Sequence, residues 1–484
     1  MNQARNELYM IIWRHTNTNK FKLGNENIDA ATATQEPVNA TKISDKREWK
    51  ILLDIFIALA LCIFLFYAVS YQMFKPRTDA GRYQCYALVF WKGIHGIDSL
   101  PPQQCAFLKD YSPATIIKSM KSRDIPAGII NLAESQSPSE EPLHTLPYEY
   151  PLLSLVPFSL GLVAPTSLYQ VAFAIWMLLV VGIIYFVLKK TRSSSAAIAY
   201  SVYLVLGCWA TAATRFDLVP AALMLGAIIL AARAKWHWGF ALLAMATLLK
   251  FYPVVLVVPF LIAQQTHSGD QWYSWRRWSA LGMYMGICLV VTFSSLVLNI
   301  ADTLSPLDYF LNRPIQIESV PATLLWLGSF FGYPLQFIHS FGSVNITSPL
   351  SHRVALLSLL CLGVGLLYTF WLQWRGKLDI STASLLTLLI ILITGKVFSP
   401  QYLIWIVPLV AFVGKANWKW LIPWCIVGVL TMWIWPNMYN VALLVDVPLQ
   451  PQFYPVVLVR NVIILGIIIV LLYQATLKTL VLTR

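Results

Sequence analysis

Long apolar stretches separated by short polar segments run through most of the chain. They cover about residues 51–71, 167–188, 195–212, 217–232, 238–250, 252–265, 278–299, 354–373, 380–396, 401–414, 418–435 and 456–475. Many approach or exceed the roughly 18 apolar residues that span a bilayer. The pattern predicts an all-α polytopic membrane protein with about 12 transmembrane helices, both termini lying on the same side.

The count of crossings depends on two segments. Trp238–Ala263 is either one long helix kinked at Pro253 or two short helices that meet near Lys250. We favour two helices, because the basic residues of the short loops then collect on one side of the membrane. The apolar run 149–163 is short and contains Pro157, so we interpret it as not crossing fully. Eleven or thirteen crossings remain alternatives.

Composition supports a membrane location. The chain is 58% hydrophobic and only 12% charged, with a mean hydropathy of +0.64, whereas soluble domains carry about 25% charged residues. Its net charge of +13 is explained by Lys and Arg in cytoplasmic loops, without invoking nucleic acid. We therefore predict a multi-pass protein of the cell membrane with both termini cytoplasmic.

The predicted topology divides the chain into a tail and a transmembrane domain. Residues 1–49 are polar and predict a disordered cytoplasmic tail, followed by the transmembrane domain over 50–484. Residues 72–147 form a first extracytoplasmic loop with short juxtamembrane helices, and 300–353 form a second large one. Cys85 and Cys105 share the first loop. They pair if it faces an oxidising compartment and are otherwise two free thiols.

Some cations stand where the topology does not expect them. Residues 148–484 hold nineteen Lys and Arg, and six of these fall outside the predicted inner loops: Arg215, Lys250, Arg313, Arg353, Lys396 and Arg460. A charge at membrane depth costs at least about 2.5–3.5 kcal/mol on insertion scales, so it normally pairs or binds something. Each residue alone is compatible with snorkelling or a structural ion pair. Together they favour a site for an anionic lipid headgroup.

Asp79 is the candidate catalytic base. It follows the first apolar stretch, in the polar segment 74–83, which is too polar to be buried in lipid. The alternative is a loop-capping Asp before Ala80-Gly81, a common use of Asp in turns.

Three motifs resemble those of membrane glycosyltransferases. Pro147-Tyr-Glu-Tyr-Pro-Leu-Leu153 resembles the Tyr-Pro-Pro-Leu segment of the GT-C superfamily. Ala246-Thr-Leu-Leu-Lys-Phe-Tyr-Pro253 resembles the Lys-x-Tyr-Pro motif of glycosyltransferase family 87, the polyprenol-phosphate-mannose-dependent mannosyltransferases. Ser399-Pro-Gln-Tyr-Leu-Ile-Trp405 is similar to that family's Ser-Pro-x-Tyr-Leu-Leu-Trp stretch.

The resemblance implies a GT-C fold and an inverting glycosyltransferase that moves mannose, or another hexose or pentose, from a polyprenyl-phosphate donor. The acceptor would be a lipid-linked or cell-envelope glycan on the outer face. Asp79 stands where GT-C enzymes carry their catalytic acid residue. Many of them carry two adjacent acids there, whereas Asp79 stands alone. We therefore expect no metal and no other cofactor.

This chemistry needs a base for the acceptor hydroxyl and cations for the departing phosphate. Asp79 is assigned the first role. The predicted phosphate ligands are Lys250, Arg215, Arg313 and Lys396. The predicted sugar- or acceptor-binding residues are Glu149, Tyr150, Asp217, Glu318, Gln401 and Tyr402. Asp217 has the alternative of pairing with Arg215, and helix capping or interfacial anchoring is the alternative for the others.

Two other functions fit parts of the pattern. A multi-span transporter or flippase of a lipid-linked or anionic substrate also uses intramembrane charges, but these usually lie at the midplane between repeats. A polymerase or ligase acting on lipid-linked glycans shares the same electrostatic needs.

Overall fold

The computed structural model describes residues 38–110, 117–118, 120–122, 125–136 and 141–482. The chain forms two compact units, Met1–Ile55 and Phe56–Arg484, and every candidate site residue lies in the second. Of the predicted disordered tail, residues 1–37 lie outside the described part of the chain. Helix is already present from Val38.

Helices make up most of the described chain. In order they are α1 (Val38–Val69), α2 (Asp79–Lys92), α3 (Phe107–Asp110), α4 (Ala127–Ser135), α5 (Leu155–Leu160), α6 (Tyr169–Thr191), α7 (Ser194–Gly207), α8 (Leu218–Ala232), α9 (Trp236–Leu249), α10 (Val257–His267), α11 (Trp275–Leu298), α12 (Ile300–Asn312), α13 (Val320–Ser329), α14 (Ser351–Trp374), α15 (Ile380–Thr394), α16 (Tyr402–Gly414), α17 (Trp418–Met432) and α18 (Phe453–Leu482).

Each of the twelve predicted apolar stretches overlaps one of these helices. Within the described residues, six segments are long and apolar enough to cross a bilayer, and they overlap α1, α6, α11, α14, α17 and α18. Several others, including α7, α8, α9, α15 and α16, are shorter apolar helices. The prediction of a helical, multi-pass membrane protein is confirmed, while the number of complete crossings stays a prediction.

The chain breaks at Lys250, as the two-helix interpretation of Trp238–Ala263 predicts. Helix α9 ends at Leu249, Lys250 is extended, and a 3-10 turn over Tyr252–Leu256 leads into α10. Pro253 lies at the start of that turn, where its missing N–H costs nothing. The break leaves the Lys250 side chain at the end of a helix rather than on its lipid-facing surface.

The first loop is tied together by a disulfide between Cys85 and Cys105, so the paired alternative is confirmed. The neighbouring Gln104 strengthens the link, because its side-chain amide donates to Gly81 O at 3.1 Å and to Gln84 Oε1 at 2.8 Å. Helix α2 is therefore held rigidly against the segment that follows it.

The second loop contains a small sheet that the all-α prediction missed. Strands β1 (Ile315–Gln316), β2 (Gln336–Ser340) and β3 (Ser343–Thr347) pair antiparallel in the order β1-β3-β2, and Ile346 lies opposite both Ile315 and Phe337. The strands are too short to give a clear alternating pattern in the sequence.

Helices α7 and α17 cross closely because each carries a glycine at the contact. A Cβ on Gly207 would lie 2.8 Å from Gly428 Cα, which no side chain can tolerate without movement of the backbone. Small residues at such crossings allow membrane helices to pack by direct backbone approach.

Candidate active site

Asp79 lies in the first turn of α2, where the helix dipole stabilises a carboxylate. The residue that caps the helix is Thr78, whose hydroxyl accepts from Gly81 N at 3.0 Å. The same hydroxyl donates to Gln170 Oε1 on α6 at 2.7 Å. Thr78, and not Asp79, therefore caps the helix. The Asp79 side chain is 28% exposed and is available for another contact.

That contact is Arg215, whose Nη2 lies 2.5 Å from Asp79 Oδ2. Burial lowers the pKa of the Arg215 guanidinium, but the Asp79 carboxylate, together with Asp217 and the Tyr83 and Tyr150 hydroxyls, raises it, and the pKa lies above its ordinary value. Arg215 is therefore a permanent cation. The predicted base and one predicted phosphate ligand are in direct contact.

A second ion pair joins Asp217 to Lys250, with 2.6 Å between Oδ1 and Nζ. Asp217 thus pairs directly with Lys250, and its interaction with Arg215, the alternative considered from the sequence, is electrostatic without a direct ion pair in the described residues. The Trp405 indole N–H donates to the same carboxylate oxygen. The other oxygen, Oδ2, is buried and accepts no hydrogen bond from the described residues. Burial lowers the pKa of Lys250, and Asp217 offsets part of that effect.

Aromatic rings surround the Lys250 ammonium group. Its Nζ lies 5.6 Å from the centroid of Tyr150, 5.2 Å from that of Phe216 and 5.0 Å from that of Trp405. Such contacts favour a cation in a site with little water. Phe216 lies between Arg215 and Asp217 in the sequence. One short segment therefore contributes one charged residue to each ion pair.

The two ion pairs form one electrostatic cluster. Arg215 interacts with Asp217 as well as with Asp79, and Lys250 interacts with Asp79 as well as with Asp217. We call these four residues the charged cluster. Its members come from the start of α2, the segment before α8 and the break after α9.

Of the two remaining predicted phosphate ligands, Arg313 lies near Tyr402 at the start of α16, and Lys396 lies near Arg313. Arg313, Asp217 and Arg215 are all close enough to Tyr402 to interact electrostatically. Arg313 donates to Ser343 Oγ at 3.0 Å, and Lys396 donates to Leu311 O at 2.9 Å. Burial lowers the pKa of Lys396, and Arg313 lowers it further.

Gln401 is half-buried and immediately precedes α16. Tyr402 is half-buried as well, and its ring stacks on Trp405 with 3.8 Å between centroids. These two residues therefore lie beside the indole that contacts Asp217, and their predicted sugar contacts stay predictions.

Two of the predicted sugar-binding residues form ion pairs with other side chains of the protein. Glu149 accepts from Arg82 Nη2 at 2.8 Å. Glu318 forms a buried pair with Arg460 at 3.0 Å and accepts from Tyr439 Oη at 2.9 Å. Its hydrophobic neighbours belong to a second core cluster with β1, β3 and the start of α18. For Glu318 these contacts indicate a structural role instead of the predicted contact with sugar.

Arg82 is a residue that the sequence analysis missed. It lies one turn beyond Asp79 in the first loop, outside the region 148–484 that holds the displaced cations. Its guanidinium faces a cavity of about 450 Å³ whose lining includes Arg77, Phe107, Tyr148, His339 and Phe341. Its position three residues after the candidate catalytic Asp79 could have indicated it, because residues at that spacing share one face of a helix.

Comparison with known proteins finds similarity to a solved structure. No protein-family model and no curated protein matches the chain. The crystal structure of ArnT from Cupriavidus metallidurans in the apo state is similar to it, with a TM-score of 0.41 and 14% sequence identity, over 89% of this chain and 78% of that chain. At this level the likeness carries no conclusion about activity or residue roles.

The charged cluster has the parts that a group transfer to a hydroxyl requires. Asp79 is a half-exposed carboxylate that can accept a proton. Arg215 and Lys250 are cations held in fixed positions by carboxylates and rings, ready to contact an oxyanion. Asp217 Oδ2 is a buried acceptor without a hydrogen-bond partner among the described residues.

Proposed function

We propose that the protein is a membrane glycosyltransferase of the GT-C superfamily that takes its sugar from a polyprenyl-phosphate donor. The acceptor is a lipid-linked or cell-envelope glycan, and the sugar is mannose or another hexose or pentose. The charged cluster carries the proposal, because a proton acceptor and two cations meet at the ends of apolar helices. A lipid-linked phosphate delivers its headgroup at that depth.

In the proposed reaction, Asp79 accepts the proton of the acceptor hydroxyl as its oxygen bonds to the anomeric carbon. The bond from that carbon to the phosphate oxygen breaks, and polyprenyl phosphate leaves with the bonding electrons. Arg215 and Lys250 bind the phosphate and stabilise the charge that develops on it. A single displacement of this kind inverts the anomeric configuration.

Arg215 has a second task in this scheme. It contacts Asp79 at 2.5 Å, and an arginine can bind a carboxylate and a phosphate with its separate N–H groups. Shared contact would place the base and the leaving group at a fixed separation. Arg313 and Lys396, whose described hydrogen bonds go to neutral oxygens, would contribute further positive potential.

An extracytoplasmic site is part of the proposal. The disulfide joins Cys85 to Cys105 within the same loop as Asp79, and disulfides persist in oxidising compartments. With the first span leading out of the cytoplasm, Asp79 would face the outer side and both termini the inner side. Cysteine labelling from either side of intact cells measures this orientation.

The proposal is tested with purified protein, a radiolabelled polyprenyl-phosphate sugar and a membrane glycan extract. We expect label to move from the donor lipid into glycan with inversion at the anomeric carbon, determined by NMR of the product. Movement of intact donor across liposome membranes without any sugar transfer would instead support the transporter alternative.

A further inference from the structure

The cavity next to Arg82 differs in chemistry from the charged cluster. Its lining combines the basic side chains of Arg77, Arg82 and His339 with the rings of Phe107 and Tyr148. No carboxylate lines it within the part of the chain that the structure describes. Its volume of about 450 Å³ falls within the range of ordinary small-molecule sites.

Arg82 is fixed on one side and open on the other. Its Nη2 donates to Tyr148 Oη at 2.7 Å and to Glu149 Oε1 at 2.8 Å. Burial lowers the pKa of Arg82, but Glu149 together with the Tyr86, Tyr148 and Tyr150 hydroxyls raises it above its ordinary value, so the group stays charged. A Cβ on Gly342 would lie 3.5 Å from Nη1, which places that nitrogen beneath the turn between β2 and β3.

That turn forms one side of the cavity and is held in place by α12. The Tyr309 hydroxyl on α12 donates to Phe341 O at 2.6 Å, and the two rings meet edge to face at 5.3 Å. Phe341 and Gly342 both have positive φ, 53° and 64°, so the tip has a defined shape. Arg77 and His339 are exposed, and they mark the mouth.

Arg82, which lines the cavity, lies close to the candidate base on α2. Asp79 and Arg82 are three residues apart on α2, a spacing that puts their Cβ atoms about 5–6 Å apart on one face of the helix. A saccharide bound against Arg82 and Tyr148 would therefore bring its hydroxyl groups within reach of Asp79.

We propose that this cavity is the acceptor subsite and that it selects a saccharide carrying an anionic group, either a phosphate or a carboxylate. The inference rests on the proposed function of the charged cluster. Arg82 Nη1 and the Arg77 guanidinium bind the anionic group, as arginine does with both phosphates and carboxylates. Phe107, Tyr148 and Phe341 pack against the sugar rings.

The experiment measures binding by calorimetry in detergent, at one ionic strength, of three oligosaccharides of equal length. One is neutral, one carries a phosphate monoester and one carries a uronate. We expect at least one charged probe to bind roughly tenfold more tightly than the neutral one, and the tighter of the two identifies the anion. Equal binding of all three probes to the wild-type protein would overturn the proposal.

A double variant, Arg77→Gln with His339→Gln, tests the location. The matched control is Arg353→Gln with His352→Gln, which removes the same residue types from an exposed site at the start of α14. The cavity variant should lose most of the preference for the charged probe while donor affinity stays unchanged, and the control should keep both. Weaker donor binding in the cavity variant would assign the cavity to the donor and refute an acceptor role.

The two proposals fail separately. Sugar transfer that persists in Asp79→Asn would remove the proposed role of the charged cluster but leave the measured probe selectivity intact. Loss of transfer in Asp79→Asn together with no probe selectivity would remove the acceptor assignment alone.

Discussion

Replacing Asp217 by Asn tests whether the buried ion pair with Lys250 is built as described. Asp217 is fully buried, and the Lys250 side chain is only 16% exposed. The substitution keeps the shape and one hydrogen-bond acceptor but removes the charge. Lys250 then loses the carboxylate in direct contact with its ammonium group, which is surrounded by rings, with Arg215 nearby and Asp79 as the remaining carboxylate that interacts with it.

Removing one partner of a buried ion pair costs about 3–5 kcal/mol. Asn keeps a polar contact to Lys250, so we expect a loss towards the lower end, about 3 kcal/mol. The loss should depend on pH in a defined direction. Burial already lowers the pKa of Lys250 from 10.5, and without Asp217 it falls further. Native Lys250 then releases its proton at a pH where the unfolded chain still holds it, so the deficit shrinks as pH rises towards 10.5.

The assay is unfolding of purified wild-type and Asp217→Asn protein in one detergent, between pH 7 and 10, followed by tryptophan fluorescence in denaturant. Asp270→Asn is the matched control, because Asp270 is exposed and the substitution is the same. A loss in Asp217→Asn no larger than that in the control would refute the reasoning. A deficit that grows with pH would refute the assignment of the effect to Lys250.

Three further predictions follow from buried groups away from the charged cluster. Burial raises the pKa of Asp302 to about 7. Between the ordinary pKa of 3.8 and that value, the native state binds more protons than the unfolded chain, so the free energy of unfolding should fall as pH rises from 4 to 7. Asp302→Asn should remove this pH dependence when unfolding in denaturant is measured across that range. Arg460→Met should lower the free energy of unfolding by about 3–5 kcal/mol, because it leaves Glu318 buried without its cationic partner. Adding Glu318→Gln should recover much of that loss, and a double variant as unstable as Arg460→Met would contradict this. Gly207→Ala should lower the melting temperature more than Gly466→Ala, because a Cβ on Gly207 meets backbone at 2.8 Å whereas nothing lies within 4 Å of one on Gly466.

The hydrophobic pattern was sufficient to predict the helical membrane architecture and the break at Lys250. Length and hydropathy determine where helices lie, and both are properties of contiguous residues. The three-stranded sheet was missed, because strands of two to five residues leave little periodic signal in the sequence.

Ion-pair partners were the least predictable part of the site. The predicted topology identified Arg215 and Lys250 as charges beside apolar helices, and both lie there in the structure. The topology did not indicate that Arg215 contacts Asp79 while Asp217 contacts Lys250, because those pairs depend on packing between distant segments. Arg82 was overlooked for a related reason. Its loop has nearly balanced charge, so no excess of cations drew attention to it.

Asp79→Asn tests the central claim most directly. The variant should bind the donor as the wild type does, because Arg215 and Lys250 remain, but it should transfer sugar about 10²–10⁴-fold more slowly, the usual contribution of a general base. Asp98→Asn, at an exposed position after α2, is the matched control. The measurement is the single-turnover rate with pre-bound labelled donor and saturating acceptor. Transfer in Asp79→Asn at the rate of the control would contradict the account.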